Sequence, residues 1–329
     1  MRYDSCVVND FWERTTDMQL EGIHHITAIT GDAPRNVDFY ARVLGLRLVK
    51  KTVNQDDPSV YHLFYADENA SAGADLTFFE YPGARRGRAG AGMVHTIVHR
   101  VGSAEALDFW AERLGGEGVR VSRDGDVLRF EDPEGLAHEL AVVQRPDEPL
   151  IARATEIPDE FAVQGFEAVR GYSADLERSE ALVERVLGFS AVGEHDWEAR
   201  GERRGGRIVF DPATERGLGG AGTVHHVAWA TTFEEQEAWR QRVLEAGGHP
   251  TEVIDRFYFK SVYFREPGGI LYEIATLGPG FTSDEPLETL GERLSLPPDY
   301  EHVREHVERT LTPLPDTRRW RREAAPASS

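Results

Sequence analysis

Two short stretches of this sequence place a pair of adjacent histidines inside an apolar run. Residues 22–28 read Gly-Ile-His-His-Ile-Thr-Ala, and residues 223–229 read Thr-Val-His-His-Val-Ala-Trp. A third stretch, Leu-Tyr-Glu-Ile at 271–274, carries a carboxylate, Glu273. Apolar alternation of this kind is typical of β-strands. Two histidines and one carboxylate are the ligand set of a non-haem Fe(II) site with open positions for substrate and oxygen.

Only one histidine of each pair can face such a site. Successive side chains of a strand point to opposite faces of the sheet, so His24 and His25 must diverge. The same holds for His225 and His226 in the second stretch. Internal repeats of the chain indicate which member of each pair is the ligand.

The repeats divide the chain into four modules. Val43-Leu44-Gly45 recurs as Val186-Leu187-Gly188, and a second pair of repeats begins at Met93 and Thr223. Each copy reads as a strand, a helix and further strands, which predicts βαβββ modules and an α+β fold. The modules cover about residues 20–85, 90–145, 162–212 and 220–278.

The equivalent first-strand position differs between the modules. In order along the chain it holds His25, Thr96, Ala168 and His226. Only modules 1 and 4 therefore keep a histidine ligand, and Glu273 on the last strand of module 4 completes the set. Its repeat counterpart Glu139 has no histidine at the matching position of module 2. We interpret Glu139 as a structural or vestigial carboxylate.

The first helix carries recognisable end signals. Asp32 is a plausible N-cap, Pro34 stands where its missing N–H costs little, and Gly45 suits a left-handed C-terminal residue. Apolar residues at helical spacing predict one buried face, formed by Val37, Tyr40, Ala41 and Leu44.

Composition excludes several classes of protein. The 329 residues carry a net charge of -20, which argues against nucleic acid or an anionic membrane as a partner. Acid-rich composition with only three lysines indicates adaptation to high salt. The single cysteine, Cys6, excludes an intramolecular disulfide. No stretch resembles a membrane span or secretory signal, so we expect a cytoplasmic protein.

The module boundaries and the proline-rich, acidic stretch before module 3 suggest five segments. We predict a helix from Pro298 to Leu311 within the last of them. The segments are an N-terminal extension (1–19), an N-terminal domain of modules 1 and 2 (20–145), a linker (146–161), a C-terminal domain of modules 3 and 4 (162–280), and a C-terminal helix and tail (281–329).

Over roughly residues 20–312 the chain resembles the vicinal oxygen chelate superfamily, whose paired βαβββ modules form open barrels. The motifs quoted above, with Gly-Gly-Ile-Leu-Tyr-Glu at 268–273, resemble its hydroquinone-cleaving dioxygenases in particular. In that branch modules 1 and 4 hold the metal, whereas most catechol dioxygenases use modules 3 and 4. The ligand position of module 3 is Ala168 in this chain, which speaks against the second arrangement. The resemblance implies Fe(II), with Mn(II) as the alternative, a small aromatic substrate (hydroquinone or catechol) and O2. Module 1 must reach module 4 within one chain or across a dimer, as in a homo-oligomer, and we favour the first, because the linker between the two halves is long enough to fold back.

The resemblance also implies residues that support the ligands or contact substrate. These are His24, His225, Thr27, Arg256 and Tyr263. We expect a cleft lined by Phe257, Phe259 and Trp229 to suit a flat aromatic substrate. His24, His225 or Tyr263 would accept the substrate proton. The alternative for Arg256 is a surface ion pair with Asp255.

A metal-dependent isomerase or lyase without redox chemistry is the alternative function. Isomerases of this kind resemble the chain but have a fourth protein ligand, and Glu80 lies near the place where it would be sought. Oxygen consumption would separate the two functions. The remaining histidines of the modules are predicted to be structural or superficial; they are His62, His95, His99, His138, His195 and His249.

Overall fold

Residues 18–213 and 215–322, which the computed structural model describes, contain sixteen strands in two eight-stranded sheets. The predicted α+β architecture of four βαβββ modules is confirmed, because each module contributes four strands to one sheet. Most of the predicted N-terminal extension lies outside the described residues.

The first sheet joins module 1 to module 4, in the order β14-β15-β16-β13-β1-β4-β3-β2. At its centre β1 runs antiparallel to β13, and each of these two strands has a parallel neighbour, β4 and β16. Its strands are β1 (Ile23–Thr30), β2 (Arg47–Asn54), β3 (Asp57–Ala66), β4 (Asp75–Glu80), β13 (Thr223–Thr231), β14 (Ile254–Asp255), β15 (Phe259–Arg265) and β16 (Leu271–Pro279).

The second sheet joins modules 2 and 3 in the same manner, in the order β10-β11-β12-β9-β5-β8-β7-β6. Here β5 runs antiparallel to β9 at the centre. Its strands are β5 (Met93–Val101), β6 (Val121–Asp124), β7 (Val127–Glu131), β8 (Ala137–Val142), β9 (Phe166–Ser173), β10 (Ser190–Gly193), β11 (Asp196–Arg200) and β12 (Gly205–Pro212).

Each sheet thus crosses the predicted boundary between an N-terminal and a C-terminal domain. Modules 1 and 4 meet within one chain through hydrogen bonds between β1 and β13. The division of the sequence into five segments stays a prediction.

One helix follows the first strand of every module, and a fifth lies in the tail. They are α1 (Ala33–Val37), α2 (Ala104–Gly116), α3 (Leu176–Arg185), α4 (Gln236–Glu245) and α5 (Arg304–Thr310). As predicted, the Asp32 carboxylate caps α1, and Gly45 has a φ of +70°. A wider π-helical turn, Asp38–Val43, continues α1. A 3₁₀ turn over Pro298–Val303 leads into α5, which confirms the predicted tail helix.

The helices bury their apolar faces against the sheets. Trp110 of α2 and Trp239 of α4, at matching places in their repeats, are both fully buried. Tyr40 follows α1, and its hydroxyl donates a hydrogen bond of 2.9 Å to the carboxylate of Asp132 in module 2. This bond connects modules 1 and 2. None of the described helices has the length and apolarity needed to cross a bilayer.

Candidate metal centre

Three neighbouring strands at the middle of the first sheet bring the predicted ligands together. Strand β13 lies between β1 and β16, and Ala228 of β13 is the cross-strand partner of both His25 and Glu273. His226, two residues earlier on β13, lies opposite Thr27. The three side chains therefore share one face of the sheet, although their residues are far apart in sequence.

His25, His226 and Glu273 form a compact, buried cluster. Glu273 Oε2 lies 3.2 Å from Nε2 of His25 and 2.9 Å from Nε2 of His226. The two Nε2 atoms are 3.2 Å apart. Among the described residues this is the one group of three or more histidine, cysteine or acidic side chains whose ligand atoms converge as a metal site requires, and it is fully buried.

The three groups strongly affect each other's protonation. Burial alone would raise the pKa of Glu273, but the charge of His25 and hydrogen bonds from both imidazoles lower it well below its usual range. Burial lowers the pKa of His226, whereas the charge of Glu273 outweighs burial at His25 and raises its pKa. A permanently ionised carboxylate facing two imidazoles is an attractive site for a divalent cation.

His24 holds the ring of His25 from behind. Nε2 of His24 lies 3.1 Å from the carbonyl oxygen of Thr276, which can only accept, so Nε2 carries a proton. Burial, then repulsion from His25, lower the pKa of His24 to about 3, so its ring is neutral and its Nδ1 is an acceptor. That Nδ1 lies 2.9 Å from Nδ1 of His25. His25 therefore donates from Nδ1. Once a metal ion takes the place of the proton between Nε2 of His25 and Glu273, Nε2 would be the nitrogen whose lone pair is available to the ion.

His225 occupies the equivalent place beside His226. The two Nδ1 atoms are 2.8 Å apart, and the ring of Phe79 contacts His225 edge-on at 5.6 Å between centroids. Partial desolvation by its neighbours, followed by repulsion from His226, lowers the pKa of the His225 ring. Unlike His24, His225 is exposed in the strand, and no carbonyl among the described residues fixes its tautomer.

The donor set fits a divalent metal ion. Both oxygens of Glu273 lack a hydrogen-bond donor among the described residues apart from the two imidazoles. A buried carboxylate in this condition is costly unless a cation satisfies it. Two imidazole nitrogens and a carboxylate oxygen are ligands that Fe(II) and Mn(II) both accept.

A cavity of about 450 Å³, including its mouth, opens onto the cluster. His25 and His226 line it together with three residues predicted to act there, namely Thr27, Arg256 and Tyr263. The cavity wall does not include His24 or His225. These two histidines contact the ligands rather than the space that a substrate would enter.

The predicted aromatic lining is correct in one of three residues. Phe259 lines the cavity, and its ring lies 5.0 Å from that of His25. Phe257 does not line the cavity. Trp229 is wholly buried on the opposite face of β13, where it packs against Phe189 at 4.7 Å between centroids. Its position follows from strand alternation, since it lies an odd number of residues from His226.

Arg256 joins modules 1 and 4 at the cavity. Its guanidinium lies 3.2 Å from the carboxylate of Asp56, and not on Asp255, whose carboxylate accepts from the backbone N–H of Phe257. The same guanidinium lies 5.5 Å from the ring centre of Tyr263. The surface pair between Arg256 and Asp255 considered from the sequence is therefore wrong.

Tyr263 lies beside the ligands, with its ring edge-on to His226 at 5.6 Å between centroids. Burial, and then the charge of Glu273, raise the pKa of the Tyr263 hydroxyl far above neutral pH. The hydroxyl thus keeps its proton. This favours hydrogen-bond donation over the proton acceptance that the sequence suggested for Tyr263.

Sequence reasoning missed the wall of the cavity that module 1 provides. His62, predicted to be structural or superficial, lines the cavity together with Thr52, Phe64 and Phe79. Nε2 of His62 lies 2.9 Å from Oγ1 of Thr77. A signal was present in β3, where alternation places His62 and Phe64 on one face, but the face could not be assigned from sequence without the sheet register.

The second sheet has no equivalent cluster in the described part of the chain. Glu139 lies 2.9 Å from Nε of Arg129, as expected for a structural carboxylate. At the position that corresponds to His25, Oγ1 of Thr96 lies within hydrogen-bond distance of Nδ1 of His95, at 2.9 Å. A wider cleft of about 1560 Å³ borders this sheet, but its charged side chains are largely paired.

Glu80 is not a fourth ligand. Its carboxylate accepts from the backbone N–H of Ala33 at 3.2 Å, at the start of α1. The cluster that could hold a metal contains three residues and does not include it. Glu80, the residue that favoured an isomerase, therefore accepts a hydrogen bond at the start of helix α1.

Comparison with known proteins agrees with this architecture. The model of the glyoxalase/bleomycin resistance protein/dioxygenase superfamily matches residues 22–140 and 167–274. A Bacillus subtilis strain 168 protein named provisionally as the ring-cleaving dioxygenase MhqO is 42% identical, over 89% of this chain and 96% of its own length. The chlorohydroquinone/hydroquinone 1,2-dioxygenase of Sphingobium indicum is 30% identical, over 89% of this chain and 96% of its own length.

A solved structure supports the same relationship. The crystal structure of a Bacillus subtilis protein, provisionally named a dioxygenase, superposes with a TM-score of 0.84 at 39% identity. The superposition covers 91% of this chain and 98% of that one. Fold, matched residues and relatives agree, and the chain belongs to the glyoxalase/bleomycin resistance protein/dioxygenase superfamily.

Proposed function

We propose that this chain is a ring-cleaving dioxygenase that inserts O2 into a hydroquinone or a catechol, using Fe(II) held by His25, His226 and Glu273. The single observation that carries the proposal is the convergence of two Nε2 atoms and one carboxylate oxygen, where both histidines line a cavity with aromatic walls. The names of the relatives support the reaction class. Mn(II) is the alternative metal, because the same donors suit it.

The bound ion would act as a Lewis acid toward a substrate hydroxyl and would pass electrons to O2. Everything else is supplied by the chain. His24 fixes the tautomer of His25, so that the Nε2 lone pair remains available to the ion. Phe259 lines the cavity beside His25, and its apolar ring would keep water from that side of the imidazole.

The module 4 side of the cavity would orient the substrate. Tyr263 keeps its phenolic proton and can donate it in a hydrogen bond to an oxygen of the substrate or of O2. Arg256 places positive charge above the Tyr263 ring. Its ion pair with Asp56 connects module 4 to module 1 at the mouth of the cavity. Developing negative charge on the substrate oxygen would be stabilised from this side.

Oxygen uptake tests the proposal. The protein is stripped with chelator, loaded anaerobically with Fe(II) or with Mn(II), and supplied with hydroquinone or catechol in molar salt. We expect O2 uptake matched by ring-opened product, and its loss in Glu273→Gln. Glu139→Gln, which changes the repeat counterpart on the second sheet, is the matched control and should keep full activity.

Two results would contradict the proposal. One is the absence of uptake with every diol despite one bound metal ion per chain. The other is full activity in Glu273→Gln, since an amide oxygen cannot replace the ionised carboxylate.

A further inference from the structure

The module 1 wall of the cavity carries two polar side chains whose hydrogen bonds are incomplete. Thr52 of β2 and His62 of β3 are cross-strand partners, and both line the cavity. Thr52 is only 2% exposed, yet its hydroxyl has no partner among the described residues. His62 uses Nε2 toward Thr77, and no hydrogen bond is formed by its Nδ1 within the same residues.

The orientation of the His62 ring is fixed by its surroundings. The rings of Phe64 and Phe79 lie 4.0 and 4.4 Å from it, centroid to centroid, one on the same strand and one on the next. Thr77, which holds Nε2, is itself bonded to Thr27 at 2.8 Å. A ring packed against two aromatic side chains and held at one nitrogen has little freedom to rotate, which pre-organises its other nitrogen for a ligand.

The two side chains lie across the cavity from the metal ligands. Strand β3 is two strands from β1, a backbone separation of roughly 10 Å at normal sheet spacing. His25 lies on β1 and His62 on β3, and both face the same cavity. A single aromatic ring bound at the cluster through one oxygen would turn its far edge toward β3.

We propose that Thr52 and His62 form a subsite that binds the far hydroxyl of a para-diol substrate; this rests on the dioxygenase function proposed above. Burial lowers the pKa of His62 well below its ordinary value, so the ring is neutral and has one donor and one acceptor nitrogen. A hydroxyl can donate or accept, and so it matches Nδ1 in either tautomer. Thr52 supplies a second hydroxyl at the same place.

The subsite discriminates between diols. A catechol has its two hydroxyls on adjacent carbons, so both lie at the metal edge and leave Thr52 and His62 unused. A hydroquinone places its second hydroxyl at the opposite end of the ring. Loss of the subsite should therefore weaken hydroquinone binding and spare molecules that lack a far hydroxyl.

The test measures, by calorimetry under anaerobic conditions, the equilibrium binding of three probes to the metal-loaded full chain. The probes are hydroquinone, catechol and 4-methylphenol, which carries a methyl group in place of the far hydroxyl. We expect Thr52→Val and His62→Phe each to weaken hydroquinone binding about tenfold, and to change the affinities of catechol and 4-methylphenol less than about twofold. His62→Gln retains a polar group and should lose less than His62→Phe.

Thr52→Val also separates binding from structure. The change removes a buried hydroxyl without a partner and keeps the shape of the side chain, so the melting temperature should stay the same or rise. His95→Phe, which alters a histidine on the second sheet, is the control and should leave the ratio of the affinities for hydroquinone and 4-methylphenol unchanged.

The outcomes are distinguishable. Equal weakening of all three probes by Thr52→Val would show that this wall only shapes the cavity and would overturn the subsite, as would unchanged hydroquinone binding in both variants. Wild-type protein that binds and cleaves hydroquinone under either result would still support the dioxygenase. Wild-type protein that neither binds nor consumes O2 with hydroquinone would overturn both proposals.

Discussion

Nδ1 of His24 lies 2.9 Å from Nδ1 of His25, and the far nitrogen of His24 donates to the carbonyl oxygen of Thr276 on β16. A backbone carbonyl on one strand therefore decides which nitrogen of a histidine on another strand keeps its lone pair. Since β16 also carries Glu273, the same strand supplies one ligand and orients a second.

His24→Phe should weaken metal binding while leaving all three ligands in place. Without the acceptor at Nδ1, the His25 ring can adopt the tautomer that protonates Nε2, and the expected loss of affinity is about 10- to 100-fold. Competition with a metal-sensitive chelator measures it. His225→Phe is the control with a smaller expected effect, because no carbonyl fixes the His225 tautomer. Equal affinity in wild type and His24→Phe would show that Thr276 does not act through His24.

Tyr263→Phe should separate turnover from metal binding. The ring contact with His226 survives the change, so the metal content should be unchanged, whereas loss of the donated hydrogen bond should lower kcat by about 10- to 100-fold. Oxygen uptake at saturating substrate, with the iron content of each sample, checks this. A lower iron content would instead assign Tyr263 to support of the ligands.

The repeats explain why the convergence of His25, His226 and Glu273 could be predicted. Period-two alternation predicted the strands, and comparison of four equivalent positions selected His25 and His226 over Thr96 and Ala168. The structure brings these histidines together with Glu273 at the predicted place. No information about pairing between strands was needed, because both histidines occupy the same position in their modules.

The missed features depend on strand register, on pairing between modules or on local helix geometry, none of which the sequence pattern shows. Thr52 lies opposite His62 in a regular stretch of the β2–β3 pairing that is bounded by a register shift on each side, and such irregularities have no clear sequence signal. Arg256 meets Asp56 only because modules 1 and 4 share a sheet. The π-helical turn after α1 is likewise invisible in a sequence pattern that fits an ordinary helix.

Asp75→Asn should stabilise the chain at neutral and alkaline pH. Asp75 is 1% exposed, neither of its carboxylate oxygens has a partner among the described residues, and burial raises its pKa to about 7. An unfolded aspartate ionises near pH 4, so between pH 4 and 7 the folded state binds the extra proton. The free energy of unfolding should therefore fall as pH rises through this window, by an amount on the order of a few kcal/mol.

Urea unfolding at pH 5 and pH 8, with chelator present, measures the difference. The stability gained by Asp75→Asn should be larger at pH 8, where the wild-type carboxylate must ionise in the folded state. Exposed Asp126→Asn is the matched control and should show little dependence on pH. A gain that is equal at both values would mean that Asp75 is ionised in the folded as in the unfolded state at both pH values, so that burial does not raise its pKa.

Lys50→Met should destabilise the fold strongly. Lys50 of β2 is completely buried and lies 2.7 Å from Asp284, with Glu285 in contact on the segment that follows β16. Its ammonium group also lies 4.9 Å from the ring centre of Tyr258, which lines the cavity. Removing the cation leaves two carboxylates without their buried partner, for which we expect a loss of about 3–5 kcal/mol in the free energy of unfolding.

Lys51→Met is the matched control, because Lys51 is adjacent, only half-buried and without an ion pair among the described residues. It should cost less than about 1 kcal/mol. Equal losses in the two variants would show that side-chain packing on β2, and not the buried charge, secures the segment after β16. If Lys50→Met alone is destabilised, double replacement of Asp284 by Asn and Glu285 by Gln should recover part of the loss, since it removes the uncompensated negative charge.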